Sequence, residues 1–417
     1  SNLSVLSGVQ QKAYLNIDIK ALSSGFRSQR PKTNIAFVVD KSGSMSGNKL
    51  IQAKQALEMA ISRLNNDDIA ALIVYDNDAK VLFPATPMQN PKQLLKSINT
   101  IAASGSTALF AGVTQGSYEV KKFLDKNNVN RVILISDGMA NIGPSKPYEL
   151  AELGRALSQQ NISVSTIGLG LGYNEDLMTQ LAGHSDGSHY FVEDADKLAE
   201  VFDSELGDIF SVVAQDININ IICKEGVKPL RILGRDEVFS GQNINTNFSQ
   251  IYGNQQRHLT LELLLPAGVS GEKLDVADVS IVYNDSLIKQ QQTHTDSVAI
   301  TYTQEAEKVA EQVNRAIYDK VTALKVNEVS KQVIELRDQG DIEGAKKLQS
   351  SNIGFLSEQV SGSSAPEELK QQLKLEEALL NDLDDNENWN KTRKQARQKQ
   401  YKIDTQQKQQ DDDQNNY

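Results

Sequence analysis

The sequence predicts an α/β fold: a doubly wound, mostly parallel sheet inserted in a small antiparallel β-sandwich and followed by a helical hairpin or three-helix unit. Three observations predict it. Residues 34–210 alternate short apolar runs with amphipathic stretches at helical spacing, the pattern of a parallel sheet covered on both faces. Residues 215–303 alternate apolar and polar side chains between Gly and Asn punctuation, which is the signature of half-buried strands. Residues 304–383 return to a helical period. The chain of 417 residues is long enough for two or three such units, and 39% apolar residues supply their cores.

Taken in order, residues 13–21 (AYLNIDIKA) alternate strictly and precede the α/β segment. They are expected to pair with strands that follow it, so that residues 1–32 contribute N-terminal strands to a composite sandwich. The α/β unit spans 33–210. Within it, 34–40 reads as a strand, and 48–64 as a helix with Leu50, Ala53, Leu57, Ala60, Ile61 and Leu64 on one face. A strand at 69–75 is followed so closely by 79–83 that the two should pair antiparallel through the Asp76-Asn77-Asp78 turn. Helices at 108–124, 147–158 and 194–210 then alternate with strands at 131–136, 162–168 and 189–192.

The sandwich takes residues 211–303, with strands at 215–223, 230–233, 259–265, 279–283 and 298–303. The helical region, 304–383, carries Ala306, Val309, Val313, Ile317, Val321 and Leu324 at helical spacing. Gly340 is its first stop and Asp341 the next N-cap, and a break at 362–366 precedes a helix at 367–383. Residues 384–417 hold a basic strip and a polar tail. The strip, 391–402, has six basic residues and no acid beside the acidic stretch 382–387; it is expected to be solvated and paired with that neighbour. The tail, 404–417, is rich in Gln, Asp and Asn and is expected to be disordered.

Charge and composition exclude several functions. With 43 Lys and Arg against 54 Asp and Glu, the net charge is −11, which argues against nucleic acid as a partner, because phosphate binding needs a basic footprint. The single cysteine, Cys223, excludes an intramolecular disulfide framework and Cys-based metal sites; its alternating strand makes it a small buried hydrophobe. No run approaches the roughly 18 apolar residues of a membrane span. No phosphate-binding G-x-x-x-x-G-K-[ST] loop and no H-E-x-x-H pair occurs. The triplet Gly168-x-Gly170-x-Gly172 departs from a dinucleotide fingerprint and reads as a loop leaving the sheet. His184 and His189 flank a Gly/Ser/Asp turn, and no nucleophile–base pair assembles, so the protein is expected not to be an enzyme.

The informative segment is Asp40-Lys41-Ser42-Gly43-Ser44-Met45, at the carboxyl end of the first α/β strand. Ligand sites of open α/β sheets lie at the carboxyl ends of strands near the topological switch point. One carboxylate and two hydroxyls at alternate positions of a turn can converge on one hard cation. Two further loops at equivalent strand ends, Ser104-Gly105-Ser106-Thr107 and Ser136-Asp137-Gly138, supply matching groups. Asp40, Ser42, Ser44, Thr107 and Asp137 are all oxygen donors, and a set with only two carboxylates suits Mg2+, with Mn2+ or Ca2+ as competitors. Asp76, Asp78 and Asn141 stand nearby; turn and helix-cap roles are favoured for them, the alternative being groups that support the donors or stand at the rim of the site.

Across residues 33–210, this D-x-S-x-S element, Thr107 and the Asp137-Gly138 pair resemble, in order and spacing, the metal-ion-dependent adhesion site of the von Willebrand factor A-type domain family. The resemblance implies a Rossmann-like fold for the segment. It also implies that Ser42 and Ser44 bind the cation directly, that Thr107 binds directly or through water, and that Asp40 and Asp137 act directly or through water. Such a shell leaves an open coordination position and a field only partly screened, which attracts an Asp or Glu of a protein ligand. The longer layout is similar to bacterial proteins related to inter-alpha-trypsin-inhibitor heavy chains and the calcium-activated-chloride-channel-like group, and implies no channel. The expected function is therefore metal-dependent protein binding, as an adhesion or scaffold module. The alternative is a scaffold or regulatory subunit of a larger complex, an ATPase-linked one among the options, that assembles through the helical region. The chain begins Ser1-Asn2-Leu3 without an initiator Met, the form of a trimmed chain. With an adhesion-type site this favours an extracytoplasmic location (periplasm, cell surface or secreted), the alternative being cytoplasmic.

Overall fold

A computed structural model describes residues 3–22, 30–235, 237 and 239–406. Two short strands, β1 (Leu3–Leu6) and β2 (Gln11–Lys20), lead to β3 (Thr33–Asp40) of the central sheet. The α/β unit continues through α1 (Asn48–Ser62), β4 (Ile69–Tyr75), β5 (Ala79–Pro87), α2 (Lys92–Asn99), α3 (Leu109–Lys121), β6 (Val129–Ser136), α4 (Pro147–Ser158), β7 (Ser163–Leu169), α5 (Glu175–His184), β8 (His189–Val192) and α6 (Leu198–Phe210). Its six strands lie in the order β5-β4-β3-β6-β7-β8, all parallel except β5. The chain builds outward from β3 on one side and then returns to β6 on the other, so the topological switch falls between the carboxyl ends of β3 and β6.

Period-two alternation explains both faces of this sheet. Ile35, Phe37 and Val39 of β3 enter one core with α1 and α6. Ala36 and Val38 enter the opposite core with Leu109, Leu150 and Leu177 from α3, α4 and α5. Being buried on both sides, β3, β4, β6 and β7 have no exposed residue, hence their continuous apolar runs.

The second unit is a sandwich built from β9 (Val212–Cys223), β10 (Lys228–Ile232), β11 (Asn243–Tyr252), β12 (Gln256–Leu265), β13 (Lys273–Asp285) and β14 (Gln290–Thr303), together with β1 and β2. One sheet runs β1-β14-β13-β9-β11 and the other β10-β12-β2. Leu15 pairs with Leu261 and Ile17 with Leu259 across β2 and β12, so strands from either side of the α/β unit share one sheet. The β1–β14 pair is parallel. Ile217, Ile219, Ile221 and buried Cys223 of β9 face Leu259, Leu261, Leu263 and Leu265 of β12 across the core. Strand β11 escapes a pattern reading confined to long apolar runs, because Asn243, Asn245 and Asn247 sit between Ile244, Thr246 and Phe248. The sandwich meets the amino ends of the parallel strands: buried Arg131 of β6 donates to Tyr252 Oη at 3.0 Å, and Arg257 of β12 makes a two-pronged contact with Asp186 in the α5–β8 turn at 3.0 and 2.8 Å.

The helical region is larger than the expected hairpin or three-helix unit. It comprises α7 (Ala306–Glu311), α8 (Arg315–Asp338), α9 (Ile342–Val360), α10 (Pro366–Asp382) and α11 (Trp389–Thr405). Asp341 caps α9, its Oδ1 accepting from Gly344 N at 2.9 Å. The basic strip is not solvated, nor paired mainly with residues 382–387. It forms α11, which lies along α5 from one end of the α/β unit to the other. Arg393 bonds Glu175 and, at 2.6 and 2.8 Å, Asp176 and Asp338; Arg397 pairs with Asp176 at 3.1 Å, and Lys391 with Glu193 at 2.7 Å. Cations left in a polar stretch by the sequence thus find, besides Asp338, carboxylates 198 to 221 residues upstream that no local pattern reveals. Residues 404 and 405 of the expected tail belong to α11, and 407–417 lie outside the described residues. Among the described residues, no helix is long and apolar enough to cross a membrane.

Burial at the α11 contact has a measurable consequence. His189 of β8 is 2% exposed, with Nδ1 at 2.9 Å from Thr166 Oγ1 and its ring 5.8 Å from that of Tyr401. Burial, reinforced by the Lys394 charge, pushes its pKa down to about 3, whereas an unfolded imidazole titrates near 6.5. Between those values only the unfolded chain binds the proton. This contribution to stability is therefore complete above about pH 6.5 and falls by about 1.4 kcal/mol per unit as pH drops toward 3. Denaturant unfolding at pH 7 and pH 5 should show a loss of stability on acidification, and His189→Gln should remove about 2 kcal/mol of that difference.

Candidate metal centre

Three loops meet at the switch point between β3 and β6. The first leaves β3 at Asp40 and turns through a short 3-10 segment, Gly43–Met45, whose Met45 side chain is fully buried and pins the turn. The second, residues 104–108, is stitched to the first by backbone bonds: Ser104 N donates to Lys41 O at 2.6 Å and Gly43 N to Gly105 O at 3.1 Å. The third begins at Ser136 and is tied to the second, where Asn141 N donates to Thr107 O at 3.1 Å and Thr107 N to Asn141 Oδ1 at 2.9 Å. Asn141 is thus the residue that fixes the Thr107 backbone.

The five predicted residues converge there. Asp40 Oδ1 accepts from Ser42 N at 2.8 Å, and Oδ2 from Ser136 Oγ at 2.6 Å. Ser42 Oγ lies 3.1 Å from Ser44 Oγ, which donates to Asp137 Oδ1 at 2.7 Å. A Cβ at Gly138 would stand 2.9 Å from Thr107 Oγ1 and 3.6 Å from Ser44 Oγ, so the missing side chain leaves a cradle faced by two of the hydroxyls. Asp40, Asp137, Ser42 and Thr107 are buried while Ser44 is exposed: the oxygens line a recess that opens to solvent on the Ser44 side. This donor set fits a small hard cation, because every donor is oxygen, two are carboxylates and none is soft. Among the described residues no group of three or more His, Cys, Asp or Glu side chains is placed to hold a metal, which leaves the mixed carboxylate–hydroxyl recess as the candidate.

Burial pushes the Asp40 carboxyl above the usual carboxylate range. Hydrogen bonds from Ser136 and Ser42 pull it back, and the Asp137 charge adds to the rise. Two buried carboxylates held together at the floor of the recess favour any positive charge that can reach them.

Several contributors carried little signal in the sequence. Ser136 adjoins Asp137 but shows its role only when β6 is laid beside β3. Lys49, the second residue of α1, ion-pairs with Asp137 Oδ2; nothing in its sequence position marks it. Asp76 is a rim residue rather than a donor: it pairs with Lys41 and accepts from Ser104 Oγ at 3.0 Å. Exposed Met139, at 56%, lies two residues from Asp137, and exposed Leu171, at 42%, adjoins Gly172, where a Cβ would meet Asp137 O.

The family model of the von Willebrand factor type A domain matches residues 34–204. The uncharacterized protein YfbK of Escherichia coli K12 is 25% identical over 294 residues, which are 68% of this chain and 50% of that protein. Human inter-alpha-trypsin inhibitor heavy chain H3 is 28% identical over 173 residues, 39% of this chain and 19% of the heavy chain. The chain thus spans half the length of one curated relative and about a fifth of the other. A solved von Willebrand factor type A structure from Catenulispora acidiphila superposes with a TM-score of 0.73 over 89% of this chain and 86% of its own, at 15% identity; at that identity the likeness is one of fold.

Lys49 supplies a test of the recess. Its ammonium group occupies one carboxylate oxygen, so Lys49→Met should raise the affinity for a divalent cation on the order of tenfold, about 1.4 kcal/mol. Calorimetric titration with Mn2+ at fixed ionic strength measures it. In the same assay Gly138→Ala should weaken binding by filling the cradle, with thermal melts checking that the fold is kept.

Proposed function

We propose that the von Willebrand factor type A domain formed by residues 34–204 binds a divalent cation through Asp40, Ser42, Ser44, Thr107 and Asp137, and through it holds an acidic side chain of a protein partner. Domains of this type are typically metal-dependent protein-interaction modules. The observation that carries the proposal is the recess itself: buried carboxylates and hydroxyls on three loops, open to solvent where Ser44 is exposed.

When bound, the cation would supply a positive centre with a free coordination position. Mg2+ is the proposed occupant, with Mn2+ and Ca2+ as competitors. The residues around it do the positioning. Ser136 orients the Asp40 carboxylate, Asn141 holds the Thr107 backbone, and Gly138 keeps the space between Thr107 and Ser44 open. This is a reading of binding rather than catalysis, since the Ser42, Ser44 and Ser136 hydroxyls are engaged with one another or with carboxylates. Assembly through the basic strip is less favoured as the primary role, because four of its cations, those of Lys391, Arg393, Lys394 and Arg397, are paired within the chain.

Mn2+ titration followed by electron paramagnetic resonance should find one ion per chain. Asp137→Asn should abolish it, and Ser136→Ala should weaken it about 10- to 100-fold, as expected for a group that orients a ligand without touching the metal. Partner protein captured from the native source should elute with EDTA and fail to bind Asp40→Ala. Capture that survives chelation would overturn the proposal.

A further inference from the structure

Helix α11 reaches the metal recess through one loop. Between β7 and α5, residues 170–174 pass close to the groups that line the recess. A Cβ at Gly172 would sit 2.8 Å from Asp137 O, and one at Gly170 would sit 3.6 Å from Lys49 Cε. Only a side chain as small as glycine's lets the loop lie this close to the Asp137 backbone.

The loop's other side is held by α11. Asn390 Nδ2 donates to Leu171 O at 3.0 Å, and Lys394 Nζ donates to Tyr173 O at 2.9 Å. The Lys394 side chain is 3% exposed; its ammonium also pairs with Glu175 and lies 4.7 Å from the centre of the Tyr173 ring. A lysine is buried in this way only where its donors are satisfied, and here one of them is spent on a loop carbonyl. At its far end α11 is fixed to the base of the molecule: Tyr401 Oη donates to Gly187 O at 2.7 Å, and Gln406 Oε1 accepts from His258 N of the sandwich at 2.6 Å. A helix of 17 residues spans about 25 Å, and its contacts at the two ends join the sandwich to the loop beside Asp137.

We propose that α11 is a positioning strut for the metal recess. Asn390 and Lys394 clamp the Leu171 and Tyr173 carbonyls, the clamped loop braces the Asp137 backbone, and the affinity for the cation depends on the helix being docked. This rests on the metal-binding reading of the recess. Linkage makes the effect reciprocal, so loading the cation tightens α11 onto the loop. The helical region, outside the domain that holds the metal, thereby becomes a place from which cation affinity is set.

The test uses the full chain as wild type, as Asn390→Ala/Lys394→Met, and as Lys391→Ala, a control that removes an α11 ion pair without touching the loop. Methionine keeps the apolar stem of Lys394, and Glu175 retains Arg393 as partner, so the double variant should fold; Asn390→Ala alone serves if it does not. The double variant should bind Mn2+ about tenfold more weakly, in the range of groups that orient a ligand, while Lys391→Ala binds as wild type. Hydrogen exchange gives the second readout: Mg2+ should slow exchange of peptides covering both 168–175 and 389–405 in wild type. The inference is overturned if the loop exchanges faster in the clamp variant yet Mn2+ affinity stays within about twofold of wild type. It is overturned equally if Mg2+ leaves residues 389–405 unprotected. Wild type that binds no Mn2+ would instead remove the metal reading itself, and the strut with it.

Discussion

The carboxylate of Asp40 is the constraint on which the upper end of the molecule depends. It is fully buried at the tip of β3, where a charge is costly unless its lone pairs are satisfied. One oxygen is satisfied locally by Ser42 N, which bends the chain into the turn carrying Ser42 and Ser44. The other is satisfied across the sheet by Ser136, which locks the end of β6 to the end of β3. Because these two strands flank the switch point, that single bond brings Asp137 beside the serine turn. The stitching of residues 104–108 then has only one place to go.

The lower end serves the upper one. The chain enters β3 and leaves α6 side by side, with the Arg30 guanidinium 4.0 Å over the Phe210 ring, so strands from before and after the α/β unit can close into one sandwich beneath it. That arrangement spends the amino ends of the strands on internal contacts such as Arg131 with Tyr252 and leaves the carboxyl ends free for a ligand. Helix α11 then bridges the two ends. Its ion pairs with Glu175 and Asp176 are partly or wholly desolvated, which makes them more demanding of geometry than surface pairs and gives the helix a defined register on α5.

Legibility varied with the range of the interaction. The doubly wound sheet was readable because strands buried on two faces and helices buried on one leave different periods in the chain. The antiparallel β5 was readable from a three-residue turn. The pairing of 13–21 with later strands rested on a weaker clue, an orphan alternating segment that needed a partner. Strand β11 and helix α2 were missed: in one, Asn and Thr fill the intervals, and in the other eight residues carry only Leu94 and Ile98 into the core.

The sequence by itself determined which oxygens could face one another, because Asp40, Ser42 and Ser44 lie within five residues and Thr107 and Asp137 stand at equivalent strand ends. Local spacing and strand periodicity are properties of the chain, and they carry that much. Only the tertiary structure decided the rest: that Ser136 bonds Asp40, that Lys49 pairs with Asp137, and that a basic strip near the C-terminus is a helix docked on the α/β unit rather than a solvated segment. Each of those contacts joins residues separated by 88 to 219 positions. A charged side chain's partner is chosen by which carboxylate the fold brings within reach once water is excluded, and no pattern along the chain encodes that choice.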